Sequence, residues 1–284
     1  RLEGRSVEEW AVHERGLGTL PPGALGQRVV EKVARQVDEL VGRAGDLGVG
    51  GGRPSPEVVD VRLDDGTRVV GTVPLALVAG GPGPARVTFS REKPSQRVRA
   101  WLDLMVLSLA RPELHWRSVV VCRKESGRVD GAAGFDYRLA PPEKSPPSPE
   151  ECLELAVELY RRGMDEPLPL FPKLSHALAQ RPNSNKAGIW RSPPGGFTPP
   201  GEGEAAAVEL VYGRCDVHSV LKIPARSGDP GHGADDSRAT RLGRVLWCTV
   251  LASTRDQATV DRDGPAADDT GSKRKRRAPA SAER

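Results

Sequence analysis

The sequence predicts an α/β fold, with a mixed sheet flanked by helices and long Gly/Pro-rich loops. Three observations lead there. Short β-branched runs recur through the first half of the chain, separated by longer segments whose apolar residues fall three and four apart. Gly (32) and Pro (26) are abundant against 37% hydrophobic residues, the mixture of folded segments and irregular connections. A chain of 284 residues can bury a core and predicts one or two domains.

Residues 24–44 carry Leu25, Val29, Val30, Val33, Val37, Leu40 and Val41 on one helical face, after Pro21-Pro22-Gly23 and before a Gly-rich loop. In residues 57–74, Val59, Val61 and Leu63 alternate with Asp60 and Arg62, and Asp65-Gly66 marks a hairpin turn. Residues 85–90 (ARVTFS) read as a third strand. Residues 96–109 read as a helix with Val98, Leu102, Met105, Val106 and Leu109 on one face, closed before Pro112. Two more strands follow at 116–123 and 135–139.

A linker at 141–149 leads to a helix running to about Arg162, with Ser148 at the N-cap, Pro149 in the first turn and Glu151 completing a capping box. The block EPLPLFPK at 166–173 is extended, because its prolines forbid a helix. Shorter helices are predicted at 174–180 and up to Tyr212, and the last at 237–251. From about Asp256 the polar composition predicts disorder. The domain organisation expected is a helical join at 1–45, a main domain at 46–255 and a basic tail at 256–284.

Several function classes are excluded by what is missing. No phosphate-cradling G-x-x-x-x-G-K-[ST] and no G-x-S-x-G elbow occurs. His13, His115, His176, His218 and His232 have no metal-like spacing, and Cys122, Cys152, Cys215 and Cys248 form no C-x-x-C pair, as in a reducing compartment. No apolar run is long enough to cross a bilayer. Asp64-Asp65 and Asp235-Asp236 read as turn residues and a helix cap, and Lys273 to Arg277 as a solvated tail, with nucleic-acid binding by counterion release as the alternative. The absence of a leader-like segment after Arg1 leads to the expectation of a C-terminal part of a longer cytoplasmic protein.

Strands followed directly by an amphipathic helix form the order on which PD-(D/E)xK nucleases carry their metal-binding acids. Such a site needs carboxylates for a divalent cation and a Lys near the attacking water. Here Pro74 stands where the first Asp belongs, and Thr88 and Ser90 stand at the acid and Lys positions. None of the nine Lys residues has Asp or Glu two positions before it. The reading is an inactivated nuclease-like core without catalytic or metal-ligating residues. An active nuclease using Asp60, Asp103 and Glu113 is the rival reading, and a protein-interaction domain without DNA contact is another.

Four segments carry a resemblance to a known family. They are GTRVVGTVP (66–74), RVTFSREKPSQRVRAWLDLMVLSLA (86–110), LYRRGMDEPLPLFPKLSHA (159–177) and TRLGRVLW (240–247). Together they resemble the C-terminal region of the RecC family, the gamma subunits of exodeoxyribonuclease V (RecBCD). Glu9-Trp10 and GTLPPGALG (18–26) look like the join from a preceding helicase-like region.

The resemblance implies a nuclease-like domain that has lost its active site, RecB-like and RecD-like partner subunits, and contact with duplex ends and forked or single-stranded DNA. It implies no cofactor in this chain, ATP and Mg²⁺ being used by the partner subunits. Chi recognition belongs to a region the chain lacks. Arg91, Lys93, Arg97 and Arg99 are the candidate DNA-backbone contacts, with a solvated helix face as the alternative. Glu166, Pro167, Leu168, Pro169 and Lys173 are the candidate partner strip, since a proline-fixed segment loses little entropy on docking. A rigid connection packed on its own domain is the alternative for that strip.

Overall fold

The structure is a computed structural model that describes residues 6–50, 55–78, 81–124, 132–180, 185–192, 200–231 and 237–256. The basic run from Lys273 to Arg277, His232 and Asp235-Asp236 lie outside the described residues.

Two helices come first, α1 (Val7–Gly16) and α2 (Gly23–Asp46). A hairpin follows, β1 (Pro56–Arg62) and β2 (Arg68–Pro74), then a short pair, β3 (Ala76–Val78) and β4 (Gly81–Gly83). Next come β5 (Ala85–Arg91), α3 (Pro94–Ala110), β6 (Ser118–Arg123) and β7 (Ala132–Leu139). The second half is helical: α4 (Pro149–Asp165), α5 (Pro172–Gln180), α6 (Lys186–Trp190), α7 (Ala206–Tyr212), α8 (Val217–Leu221) and α9 (Arg238–Ser253), closed by β8 (Thr254–Asp256).

The main sheet has the order β5-β6-β7-β8, with β5 parallel to β6 and the other pairs antiparallel. It is the expected mixed sheet flanked by helices. Its inner strand β6 reads SVVVCR, buried at every position but the last, as a strand covered on both faces must be. Alternation splits these residues between two clusters. Val119 and Val121 join Leu40 and Ala44 of α2, whereas Val120 and Cys122 join Trp101, Leu104 and Met105 of α3. Helix α2 therefore shares a core with the sheet.

The β1–β2 hairpin does not join the main sheet. It forms a two-stranded sheet of its own, pairing Pro56 with Pro74 through to Arg62 with Arg68. Its inward residues Val59, Val61, Leu63 and Val73 pack on α3. Asp65-Gly66 makes the turn: Gly66 has φ +82°, and the Thr67 N–H donates to the Asp65 carboxylate at 2.7 Å. Helix α3 is thus the centre of the fold, between the sheet and a layer made by the hairpin, α4 and α9. Trp101 is buried there and donates its indole N–H to Ser253 Oγ at 2.9 Å, a core role as its place on the apolar face suggests.

A smaller core joins Phe171, Leu174 and Leu178 with Trp190, Val217, Val220 and Ala239. Phe171 meets Trp190 and Tyr212 edge-on, at centroid distances of 4.9 and 5.6 Å. The capping box opening α4 is formed as read: Ser148 accepts from the Glu151 N–H, and Glu151 from the Ser148 N–H. Among the described residues, no helix is long and apolar enough to cross a membrane.

Candidate functional site

Because β5 and β6 run parallel, their carboxyl ends lie on one side of the sheet, with Arg91 and Arg123 as direct partners in the ladder. Lys93 follows β5 and caps α3. Its N–H donates to Gln96 Oε1 at 3.0 Å, while Gln96 Nε2 donates to Ser90 Oγ at 2.6 Å. Arg91, Lys93 and Arg99 are exposed, as a backbone-contacting edge requires.

Arg97 is not. It binds Glu92 at 2.5 Å and lies over the Phe135 ring, its guanidinium carbon 4.4 Å from the centroid. Arg97 thus fastens α3 to β7, with its charge paired to Glu92.

The positions read as degenerate nuclease sites lie in two different sheets. Pro74 ends β2 in the hairpin sheet, whereas Thr88 and Ser90 lie in β5 of the main sheet. The β5–β6 register shifts between Val87 and Arg91, so Thr88 and Ser90 sit in the irregular part of the strand. Thr88 Oγ1 donates to Ser90 Oγ at 3.2 Å, and Ser90 also receives the Gln96 amide. Neutral hydrogen bonds tie the strand to the first turn of α3 there.

The rival acids are likewise engaged. Asp60 binds Arg68 at 2.5 Å, Asp103 binds Arg86 at 2.9 Å and Glu113 faces Arg111 at 3.7 Å. Among the described residues a single acidic group, Asp64 with Glu150 and Glu154, brings its ligand atoms within 4.8 Å of one another, and it involves neither β5 nor the basic edge. A cleft of about 580 Å³, lined by His115, Trp116, Arg117 and Arg138, lies at the opposite end of β6 from Arg123.

The sequence model of one family, RecC C-terminal domain, matches residues 1–182. The chain belongs to this RecC family. It is 32% identical over 258 residues to the RecBCD enzyme subunit RecC of Mycobacterium tuberculosis (strain CDC 1551 / Oshkosh), covering 89% of this chain and 22% of that protein. It is 30% identical over 197 residues to the RecBCD enzyme subunit RecC of Mycolicibacterium smegmatis, covering 62% of this chain and 17% of that protein. The chain thus spans about a fifth of the length of the curated relatives it matches.

In this RecC-family chain much of the strip 166–173 packs on its own domain. Glu166 accepts from Arg238 and Arg226, Pro169 is buried, and Leu168 is half-buried. Phe171 enters the smaller core, and the Pro167 carbonyl accepts from Tyr212 at 3.5 Å. The N–H groups of Lys173 and Leu174 donate to the Glu202 carboxylate at 2.7 and 2.8 Å, which caps α5. Pro167 and the Lys173 side chain remain exposed.

Sequence reading missed the charged knot that this strip enters. Arg238, 2% exposed, donates to Glu166 and to Asp229, the latter at 3.1 Å from Nε. Asp229 also receives Arg162 at 3.3 Å and the Arg226 N–H at 2.7 Å. Burial alone would raise the Asp229 carboxyl, but these donors hold it below the usual range. The available signal was an Arg directly after the Ser237 cap, where the helix dipole disfavours a cation that has no acid of its own.

Proposed function

We propose that this chain is the non-catalytic C-terminal domain of a RecC subunit. It guides and splits duplex DNA and holds RecB-like and RecD-like subunits of exodeoxyribonuclease V during double-strand-break repair by homologous recombination. The family match carries the reading. Neutral Thr88 and Ser90 at the irregular part of β5 support a PD-(D/E)xK-like core that has lost its acids. Exposed Arg91, Lys93 and Arg99 support contact with the DNA backbone, which binds through phosphate neutralisation. In this reading the chain works in the cytoplasm, and the chemistry of ATP and Mg²⁺ belongs to the partner subunits.

The test is binding to a labelled forked duplex over a salt series, with Mg²⁺ added in parallel and products resolved on a gel. Salt-sensitive binding without cutting is the expected result. Cleavage that vanishes with chelator would overturn the non-catalytic reading and favour the active-nuclease rival. Absence of binding would leave subunit holding as the function.

A further inference from the structure

Many arginines of this fold end on carboxylates: Arg68 on Asp60, Arg86 on Asp103, Arg97 on Glu92, Arg117 and Arg138 on Asp136. The cations at the carboxyl ends of β5 and β6 differ. Arg91 and Arg123 are neighbours in the ladder, Lys93 and Lys124 follow the two strands, and none has a carboxylate partner among the described residues. Like charges side by side on a sheet repel unless an anion lies between them.

Arg123 is held by uncharged groups. Its Nε donates to the Phe89 carbonyl at 2.7 Å and its Nη1 to Gln36 Oε1 of α2 at 3.4 Å. Its guanidinium carbon sits 4.4 Å from the centroid of the Phe89 ring, and Phe89 remains 39% exposed. Lys32, one turn before Gln36 on α2, and Arg35 beside it are exposed. An exposed ring under a flat guanidinium, with cations that lack carboxylate partners at the same strand ends, has the chemistry of a stacking step for an unpaired base.

We infer that the carboxyl end of the β5–β6 pair binds single-stranded DNA. A base stacks on the Phe89–Arg123 step, and flanking phosphates are held by Arg91, Lys93, Lys124 and Arg35. The inference rests on the DNA-guiding reading above and goes beyond it by placing the strand at this end of the sheet and naming the residues that stack a base. A duplex keeps its bases stacked on one another, so its affinity draws on the cations alone.

The experiment is fluorescence anisotropy of the 284-residue chain with a labelled oligothymidylate of about 12 nucleotides and with a duplex of equal length, over a salt series. Phe89→Leu is expected to weaken single-strand binding about tenfold and to leave duplex affinity and salt slope unchanged. Arg123→Lys keeps the charge but loses the flat guanidinium, and is expected to act the same way. Arg91→Ala with Lys93→Ala weakens both DNAs and lowers the single-strand salt slope by about 1.4. Circular-dichroism melting establishes that each variant is folded. Single-strand affinities unchanged in both Phe89→Leu and Arg123→Lys overturn the stacking inference and leave phosphate contact standing. No salt-sensitive binding of either DNA by the unmodified chain overturns both.

Discussion

Arg238, the first residue of α9, donates its guanidinium to Glu166, the residue that ends α4 and stands 72 positions earlier. The bond fastens the start of the last helix to the head of the proline-fixed strip, and Asp229 accepts from the same guanidinium. Removing one partner from such a buried set leaves the other charges uncompensated, which costs more than the set contributes over an apolar core. Arg238→Leu is expected to lower stability by about 3 kcal/mol, read from urea unfolding. A loss within error would mean the knot is dispensable.

The same group makes the fold acid-sensitive. The Glu166 carboxyl is lowered first by its bonds from Arg238, and Asp229 is lowered by its donors despite burial. Carboxylates depressed in the folded state contribute fully above their unfolded pKa, and that contribution is lost as pH falls through the folded value. Melting temperature is therefore expected to hold down to about pH 5 and to drop as pH falls through the ordinary carboxylate range near 4. The drop should be shallower in Arg238→Leu, because Glu166 then keeps only Arg226, and Asp229 only Arg162 and the Arg226 N–H, to hold their carboxyls down.

Gly203 lies against the Trp190 ring, where an added Cβ would stand 2.3 Å from a ring carbon. Trp190 is buried and donates its indole N–H to the Cys215 carbonyl at 2.9 Å, so it has no room to retreat. Gly203→Ala is expected to cost about 1–3 kcal/mol through this overpacking. A shifted Trp190 fluorescence maximum, compared in a chain that keeps this Trp alone, would report the displacement.

The cysteines should separate cleanly by reactivity. Burial pushes the Cys122 thiol up to about 11, with Glu92 adding to it, and burial likewise raises Cys152, while Cys248 is exposed. Only thiolate reacts quickly, so a chromogenic disulfide at about pH 7 should modify Cys248 first and reach Cys122 and Cys152 after unfolding. Cys248→Ser should remove the fast phase. Its survival would place the reactive thiol elsewhere.

Much of the fold was legible because its signals are local. The Asp65-Gly66 turn, the capping box from Ser148 to Glu151 and the three- and four-residue spacing of α2 each act within one element, and each formed. The capping box of Ser6 with Glu9 that opens α1 was equally local and went unread. Helices α6 and α8 have five residues each, too few to show a period, and β8 is three residues defined by pairing with β7. The separation of the hairpin from the main sheet is a choice of partner, which alternation in β1 and β2 does not encode.

The candidate site divides the same way. Exposure of Arg91, Lys93 and Arg99 follows from their place at a strand end, in the turn after it and on an outer helix face. The inward turn of Arg97 depends on Glu92 and on Phe135 across the sheet. Arg123 escaped notice because its partners, Phe89 and Gln36, are 34 and 87 positions away.

Strand β6 has one further consequence. Since Val119 and Val121 belong to one hydrophobic cluster and Val120 and Cys122 to the other, the strand is a wall shared by two rooms. Exchanging one aliphatic residue for another there alters one room. Deleting a single residue would turn each later side chain to the opposite face and empty both, so this stretch tolerates changes of composition far better than changes of length.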